Sequence, residues 1–419
     1  MELVKPVKLV RFAYCSEFEC LADKCPETCC QQWNVFFGHK DYLNIKNSRC
    51  SEKLKTVIDS SFVKVNGSSV NEGFDYAVVK FNEKGMCPLL DDDGLCMLQK
   101  ELGEDSLGFV CSTFPRLKTA VGNDSYIYSC NMSCPKAAEL LISHKEGLRL
   151  VTENYYGGDR YLDSGLYSAP AVSEKWEGFP YYWDIKKTQI GILQNRDFSI
   201  AERMLILGYF SQKANEYINR RAGANIAALA ALLRDREVCG KIAESLMPSQ
   251  TDREFAAKSM GIFAKLYLSA QNKGSVHLKE LFQTVSDSVG LTLEKKEKGK
   301  IDTNLNYEKY LGNLDKYRWI ERERPHIIEN ILVNLTFTQS PAEGVWKEFF
   351  ITAVFYNVMM TCMPAFLGDG DDDSELALAI SRAAKMTVNN GLIEKDTLLD
   401  FVDNRAYDLP HAAFLIGHN

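Results

Sequence analysis

The stretch Cys20-Leu21-Ala22-Asp23-Lys24-Cys25-Pro26-Glu27-Thr28-Cys29-Cys30 decides how this chain is interpreted, because it places four thiols within a short segment. Eleven of the 13 cysteines precede residue 135, and only Cys239 and Cys362 follow it. Thiolates are soft donors that bind iron–sulfur clusters and zinc tightly. A chain of 419 residues can bury a large core without a metal or disulfides. A metal centre in this region would therefore need a local or functional reason.

The cysteines that follow extend the candidate ligand set. Cys87 and Cys96 flank Asp93-Gly94, a dipeptide that predicts a tight turn with the two thiols facing each other. The spacing of Cys130 and Cys134 would place both thiols on one face if the segment is helical. Cys15 and Cys50 fit the pattern least well. The predicted metal ligands are four of nine cysteines: Cys20, Cys25, Cys29, Cys30, Cys87, Cys96, Cys111, Cys130 and Cys134.

The spacings favour an iron–sulfur cluster, of the 4Fe-4S kind, over zinc as the alternative. Structural zinc sites usually use paired C-x2-C knuckles, and this sequence contains none. The first residues, Met1 to Arg11, lack the apolar run of a secretory signal, so we expect a cytoplasmic protein with reduced thiols. A redox sensor that uses the vicinal pair Cys29-Cys30 is a further alternative.

The patterning predicts a mainly α protein. A cysteine-rich metal-binding module with short strands and loops, residues 1–150, is followed by a larger helical region, residues 151–419. Ser199-Ile200-Ala201-Glu202 has the form of a helix-starting capping box. The charged run at 294–300 predicts a loop near 294–304. The acidic run 368–375 predicts a solvated loop and helix N-cap rather than a cation site.

Charge and hydropathy argue against two classes of partner. The formal net charge is −7, which disfavours non-specific nucleic-acid binding. The 19 residues from Phe349 to Leu367 include no charged residue and are long enough to span a bilayer. Their polar residues and proline favour a buried core helix instead. We therefore expect neither a nucleic acid nor a membrane as partner.

Several segments resemble the bacterial flagellin lysine-N-methylase family, and the resemblance is scattered from about residue 10 to about residue 360. The N-terminal part is also similar to the putative zinc- or iron-chelating CxxCxxCC class, although the first spacing here is longer. The segments that carry the family resemblance are Glu19-Cys20, Cys25 to Trp33, Cys87 to Leu90, Gly94 to Cys96, Leu102 to Glu104, Cys111 to Arg116, Ser133 to Pro135, Tyr182 to Ile185, Ile192 to Arg196 and Glu329 to Asn334.

The resemblance implies a protein-lysine N-methyltransferase that methylates surface lysine amines of flagellin with S-adenosylmethionine. It also implies an iron–sulfur cluster bound by the N-terminal cysteines. The residues alone leave open a non-enzymatic zinc-binding scaffold or interaction protein. Such a scaffold would require stoichiometric zinc to stay folded.

The donor site is not marked by a standard motif. Gly157-Gly158 and Gly368-Asp369-Gly370 are the close glycine pairs, and neither completes a dinucleotide-binding loop. The radical signature C-x3-C-x2-C is also absent, because Gln32 and Ala137 stand where its third cysteine would be. Candidate substrate- or cofactor-binding residues are Arg116, for a carboxylate, and an aromatic group for a cation, Tyr181, Tyr182 and Trp183, with Trp176 and Phe179 nearby. The catalytic residues are not identified.

Overall fold

The computed structural model describes residues 6–31, 35–65, 75–158, 162, 171–295, 301–368, 372–387 and 397–417. Within these ranges the protein is mainly helical, and its short strands lie mostly before residue 156. The predicted fold class is thus confirmed in its helical content and in the character of the N-terminal strands. The division at residue 150 stays a prediction.

Three small sheets are present among the described residues. Their strands are β1 Val7–Phe12, β2 Phe36–Phe37, β3 Phe62–Lys64, β4 Ala77–Val79, β5 Arg116–Val121, β6 Ser125–Cys130, β7 Leu150–Tyr155, β8 Leu291–Lys295 and β9 Ile301–Leu305. The first sheet has four strands in the order β5-β6-β1-β7, with β1 parallel to β6 and antiparallel to β7. The second, β2-β4-β3, is antiparallel, and the third is a hairpin of β8 and β9.

The described helices before residue 150 have at most 10 residues, and most of those after it are longer. The first five are α1 His39–Asn47, α2 Glu52–Ser61, α3 Met97–Leu102, α4 Phe109–Thr113 and α5 Pro135–Ser143. The later ones are α6 Tyr182–Leu193, α7 Ile200–Asn219, α8 Asn225–Leu232, α9 Arg236–Leu246, α10 Asp252–Lys273, α11 Val276–Val289, α12 Tyr307–Glu323, α13 Pro325–Thr338, α14 Val345–Cys362, α15 Asp373–Thr387, α16 Leu398–Asp403 and α17 Leu409–Ile416.

Two hydrophobic clusters organise this arrangement. The larger joins side chains of β1, β6 and α5 to those of the C-terminal helices, so it contains residues from both sides of residue 150. The smaller lies among α1, α2, β4 and α3 and includes Cys87, with Cys30 and Cys96 packed against it. The cysteine-rich segments therefore contact both clusters.

The uncharged stretch Phe349 to Leu367 belongs to a core helix. The apolar helical stretch Val345–Phe366 has the length and composition of a membrane span, yet 83% of its most apolar part is buried inside the protein. Phe349, Phe350 and Tyr356 on α14 are each no more than 1% exposed. This burial confirms the prediction of a core helix.

Local sequence rules account for several helix starts. The capping box predicted at Ser199 is present, with the serine side chain on the backbone of Glu202 and the glutamate on the backbone of Ser199. Asp372 accepts a hydrogen bond from the Ser374 backbone at the start of α15, which confirms the predicted cap. The predicted loop near 294–304 overlaps β8 and β9 at its ends, and its centre, 296–300, lies outside the described residues.

Candidate functional site

Eight of the nine predicted ligand cysteines lie on loops or at the ends of short elements, and Cys111 lies within the short helix α4. Cys20, Cys29 and Cys111 are exposed, Cys25, Cys30 and Cys96 are half-buried, and Cys87, Cys130 and Cys134 are buried. Gln32 and Trp33, which complete the family-like opening segment, lie outside the described residues. All nine thiols are described, so their grouping can be compared with the prediction.

Four of these thiols, Cys30, Cys87, Cys96 and Cys111, form what we call the Cys30 group. The peptide N–H of Cys87 donates to the carbonyl of Cys30 at 2.9 Å, which joins two segments distant in sequence. Desolvation, followed by the negative charges of Cys30, Cys87 and Cys96, raises the pKa of Cys111. Desolvation, followed by the charges of Cys30 and Cys96, also raises the pKa of Cys87, to about 12. Ionising several of these thiols together is therefore unfavourable, and a bound cation would offset that cost.

The turn predicted between Cys87 and Cys96 is present. The Asp91 side chain accepts from the backbones of Asp93 and Leu95 at 3.0 and 2.9 Å, and Asp91 N–H donates to Leu95. Gly94 has φ of +75°, a conformation that favours glycine. This turn returns the chain so that Cys96, at the start of α3, lies near Cys87, as predicted.

Three other thiols, Cys20, Cys25 and Cys134, form a second set, the Cys25 group. Desolvation, followed by the charges of Cys25 and Cys20, raises the pKa of Cys134 to about 11. The segment from Cys130 to Cys134 is not helical: Cys130 ends β6 and Cys134 is the cap residue of α5. The prediction that both thiols lie on one face held only for a helical segment. It does not apply here, because Cys130 lies at the end of a strand and Cys134 at the start of a helix. The thiol of Cys130 is instead hydrogen-bonded to the thiol of Cys15, and both cysteines are free of disulfides.

The free vicinal thiols Cys29 and Cys30 are hydrogen-bonded to each other, and this bond shifts their pKa values in opposite directions. The hydrogen bond from Cys29, with a further one from Thr28, lowers the pKa of Cys30 to about 7 despite its burial. The same pairing raises the pKa of Cys29. Cys30 is therefore the thiol of this pair that ionises first near neutral pH, as a metal ligand must.

The fit of these thiols to a metal can be tested by donor chemistry and by position. The donors are suitable in kind, since the Cys30 group consists of soft thiols from three separate segments. Across the described ranges, however, no three His, Cys, Asp or Glu side chains lie close enough together to hold a metal ion. The ligands would have to draw together on binding, and the choice among the nine cysteines stays a prediction.

Glu27, within the cysteine-rich opening segment, is a buried contact between this segment and the helical region. Its carboxylate meets Nε2 of His277 on α11 at 2.5 Å, and Nε of Arg382 and Nζ of Lys385 on α15 at 3.1 and 3.0 Å. The glutamate is 8% exposed. Glu27 lies in the family-like segment Cys25 to Trp33, but no role was predicted for it from the sequence. A carboxylate inside a cysteine motif was the local sign that it could bind basic side chains. The contact fixes the loop that carries Cys25 and Cys30.

Glu27→Gln is expected to weaken the acid dependence of stability. Burial alone would raise the pKa of Glu27, but hydrogen bonds from His277 and Lys385 outweigh it and lower the pKa to about 2. A lowered folded-state pKa means that this contribution is complete above the ordinary pKa of 4.5 and is lost as pH falls towards 2. The wild type should lose about 3 kcal/mol over that range through this group. Urea unfolding across the range measures the loss.

Glu153→Gln, at the more exposed pair with Arg11, is the control for this prediction. Equal slopes of unfolding free energy against pH in the wild type and in Glu27→Gln would contradict the assignment.

Helix α13 connects the helical region to the four-stranded sheet through buried amides. We call this sheet the thiol-bearing sheet, because its strand β6 ends in Cys130. Asn334 accepts from Tyr14 at 2.7 Å and donates to the carbonyl of Cys130 at 3.1 Å. Asn330 donates to the carbonyls of Leu141 and His144 at 2.8 and 2.9 Å. Buried amides without partners would be costly, so these bonds fix α13 against β6 and α5. The family-like segment Glu329 to Asn334 thus has a structural role that its sequence did not disclose.

The predicted substrate-binding side chains are packed rather than open. Tyr182 is 1% exposed and lies edge-on to Trp183, with ring centroids 4.9 Å apart. A side chain on Gly223 would collide with the Tyr181 ring, so this ring covers backbone. The Arg116 guanidinium donates to the carbonyl of Ser112 at 3.0 Å. Arg116 lies opposite Cys130 in the pairing of β5 with β6. The binding role of Arg116, Tyr181, Tyr182 and Trp183 stays a prediction.

Comparisons with known proteins agree with the resemblance in the sequence. Residues 187–415 match the FliB lysine N-methylase C-terminal domain. The chain is 25% identical over 150 residues to the flagellar biosynthetic protein FliU of Salmonella muenchen, an alignment that covers 35% of this chain and 84% of that protein. It is also 25% identical over 150 residues to the lysine-N-methylases of Salmonella typhimurium and Salmonella choleraesuis, with 35% of each chain covered. No solved structure matches.

Fold and site together define a mainly helical protein whose thiol-rich N-terminal segments are bound to a helical core. Because the domain match spans more than half of its residues, the chain belongs to the FliB lysine N-methylase family. The predicted lysine-N-methylase family, and the enzyme class of protein-lysine methyltransferase at the level of that family, are confirmed. The likeness of the N-terminal part to the CxxCxxCC class stays a prediction. The aligned region spans about a third of the length of the two lysine-N-methylases, 35% of each.

Proposed function

We propose that this protein transfers methyl groups from S-adenosylmethionine to lysine amines on the surface of flagellin. The observation that carries the proposal is the match of residues 187–415 to the lysine N-methylase domain. The name of the relative from Salmonella muenchen, a flagellar biosynthetic protein, supports a flagellar substrate. We place the reaction in the cytoplasm, where flagellin subunits would be methylated before assembly.

The transfer sets clear demands on the site. The lone pair of a deprotonated lysine amine attacks the methyl carbon while the carbon–sulfur bond breaks and its electron pair goes to sulfur. The amine must be aligned with that bond and must lose a proton to a base or to water. An acidic protein, with a net charge of −7, suits a lysine-bearing surface as partner.

We further propose that the N-terminal thiols hold an iron–sulfur cluster, with the Cys30 group as its four ligands. Two contacts support this choice: the peptide N–H of Cys87 donates to the carbonyl of Cys30, and Cys30 and Cys96 pack against the hydrophobic cluster that contains Cys87. Cys111 adjoins them, since the charges of Cys30, Cys87 and Cys96 add to the rise in its pKa that desolvation causes. Bound there, a cluster supplies reversible one-electron chemistry and a cross-link between the loops. Cys20, Cys25, Cys29, Cys130 and Cys134 are then free for structural roles.

A methyl-transfer assay tests the function. The full chain, purified without oxygen, is incubated with flagellin monomers and isotopically labelled S-adenosylmethionine, and labelled methyl-lysine is read by mass spectrometry. Flagellin with chemically acetylated lysines is the control substrate, since acetylation removes the nucleophile. Label on native flagellin alone is the expected result. No label on either substrate from protein with its metal intact would reject the proposal and favour the zinc scaffold.

Replacing two members of the Cys30 group, Cys87→Ser with Cys111→Ser, is expected to lower bound iron and sulfide roughly tenfold or more, because a hydroxyl is a poor substitute for a thiolate ligand. Iron, zinc and sulfide per chain, together with visible absorption, are measured after anaerobic purification. Cys239→Ser is the matched control, a buried cysteine outside the N-terminal segments. Equal iron in both variants, or zinc in place of iron in the wild type, would overturn the ligand assignment.

A further inference from the structure

A cleft of about 500 Å³ lies in the helical region, away from the cysteine-rich segments. Helices α6, α7, α8 and α9 and the connection after α6 form it. Its volume falls within the range of pockets that hold small organic molecules. The proposed methyl transfer assigns no role to it.

The lining of this cleft is mainly apolar, with the polar side chains of Thr188 and Asn195 and two exposed cations beside it. Phe198, Ile206 and Leu233 are buried apolar lining residues. Lys187 and Arg234 also line the cleft and are exposed. No lining residue is acidic, and within the described ranges neither cation forms an ion pair with a carboxylate. An apolar interior beside two uncompensated cations is complementary to a molecule with an apolar body and an anionic end.

We propose that this cleft binds a small amphipathic anion, an apolar body that ends in a phosphate or a carboxylate. The apolar part would displace water from the lining around Phe198 and Leu233. The anionic group would meet Lys187 and Arg234 through charge-assisted hydrogen bonds. S-adenosylmethionine carries a sulfonium and an ammonium beside its single carboxylate, so the cleft is not complementary to the methyl donor. The inference is independent of the proposed function.

Gly191 offers a direct way to close the cleft. It lines the cleft on α6, and a Cβ atom built there meets nothing within 4 Å. A leucine at this position would extend into the open space without a collision at its Cβ atom and would favour the helix. Gly261, an exposed glycine on α10 whose Cβ is equally unobstructed, is a matched control outside the cleft.

The experiment titrates anilinonaphthalene sulfonate, an aromatic anion whose fluorescence rises in apolar sites, into the full-length protein. Gly191→Leu is expected to lower its affinity roughly tenfold or more while Gly261→Leu leaves it unchanged, because the added side chain occupies the cleft. Lys187→Gln with Arg234→Gln is expected to weaken binding roughly tenfold by removing both cations. Thermal unfolding of each variant checks that the fold persists.

Competition identifies the ligand chemistry. Adenosine monophosphate and decanoate compete as a nucleotide phosphate and a fatty carboxylate, and the better competitor names the source of the anion. Uncharged adenosine and S-adenosylmethionine are expected to compete at least roughly tenfold less well. Equal probe binding by Gly191→Leu and Gly261→Leu, or equal competition by charged and uncharged nucleosides, would overturn the proposal.

Discussion

Lys186→Met is expected to lower the free energy of unfolding by about 3 to 5 kcal/mol, because it leaves a buried carboxylate without its cation. The Lys186 ammonium lies 2.6 Å from Glu348, and the two side chains are 1% and 0% exposed. The ammonium also donates to the carbonyls of Thr336 and Gln339 at 2.6 and 2.9 Å. This pair joins α6, the end of α13 and α14 at the centre of the helical region.

The pair itself contributes less than its disruption costs. Burial lowers the pKa of Lys186 and raises that of Glu348, so each charge depends on the other to remain ionised. Replacing both with apolar side chains of similar size, Lys186→Met with Glu348→Leu, removes two desolvated charges together. The double variant is expected to be at least about 2 kcal/mol more stable than Lys186→Met alone. Urea unfolding at neutral pH of the wild type, Lys186→Met, Glu348→Leu and the double variant gives the coupling free energy. Strictly additive effects of the two single substitutions would contradict the assignment.

Glu329→Leu is expected to cost a similar amount, about 3 to 5 kcal/mol. The Glu329 carboxylate receives Arg203 at 2.8 Å and Arg196 at 2.9 Å, and it is 1% exposed. Arg203 is itself buried and cannot lose its charge. Without Glu329, the partners that its guanidinium keeps among the described residues are the carbonyls of Leu193 and Phe198. The uncompensated cation is the main source of the loss.

A surface pair provides the comparison for this prediction. Arg11 and Glu153 also make two contacts, at 2.8 and 3.2 Å, but the glutamate side chain is 42% exposed. Glu153→Leu is expected to change the free energy of unfolding by less than about 1 kcal/mol, because solvent screens the pair and solvates the arginine left behind. If Glu329→Leu and Glu153→Leu lose equal stability in urea unfolding, burial does not control the effect.

The Glu329 pair also explains why two distant family-like segments occur together. Arg196 ends one segment and Glu329 begins the other, and the fold brings their side chains into contact. The second segment continues to Asn330 and Asn334, which bind the carbonyls around the thiol-bearing sheet. Charge and polarity were visible in the sequence, but their partners lie more than a hundred residues away. Only the folded chain pairs them.

The thiols show the same division between local and distant information. The Asp-Gly turn between Cys87 and Cys96 could be predicted, since an aspartate cap and a glycine with positive φ depend on neighbouring residues alone. The position of Cys130 could not be predicted, because three residues between Cys130 and Cys134 are compatible either with a helix or with the end of a strand. Its pairing with Cys15 arises from β1 lying parallel to β6.

The sequence by itself determined the mainly helical class, the capping box at Ser199, the burial of the uncharged stretch Phe349 to Leu367 and the concentration of thiols before residue 135. Each follows from composition or from contacts within a few residues. Only the tertiary structure decided which thiols adjoin, that Glu27 binds His277, Arg382 and Lys385, and that a cleft with two unpaired cations forms among the described helices. These features depend on contacts between segments far apart in the chain, where the free energy of packing, rather than local propensity, selects the partner.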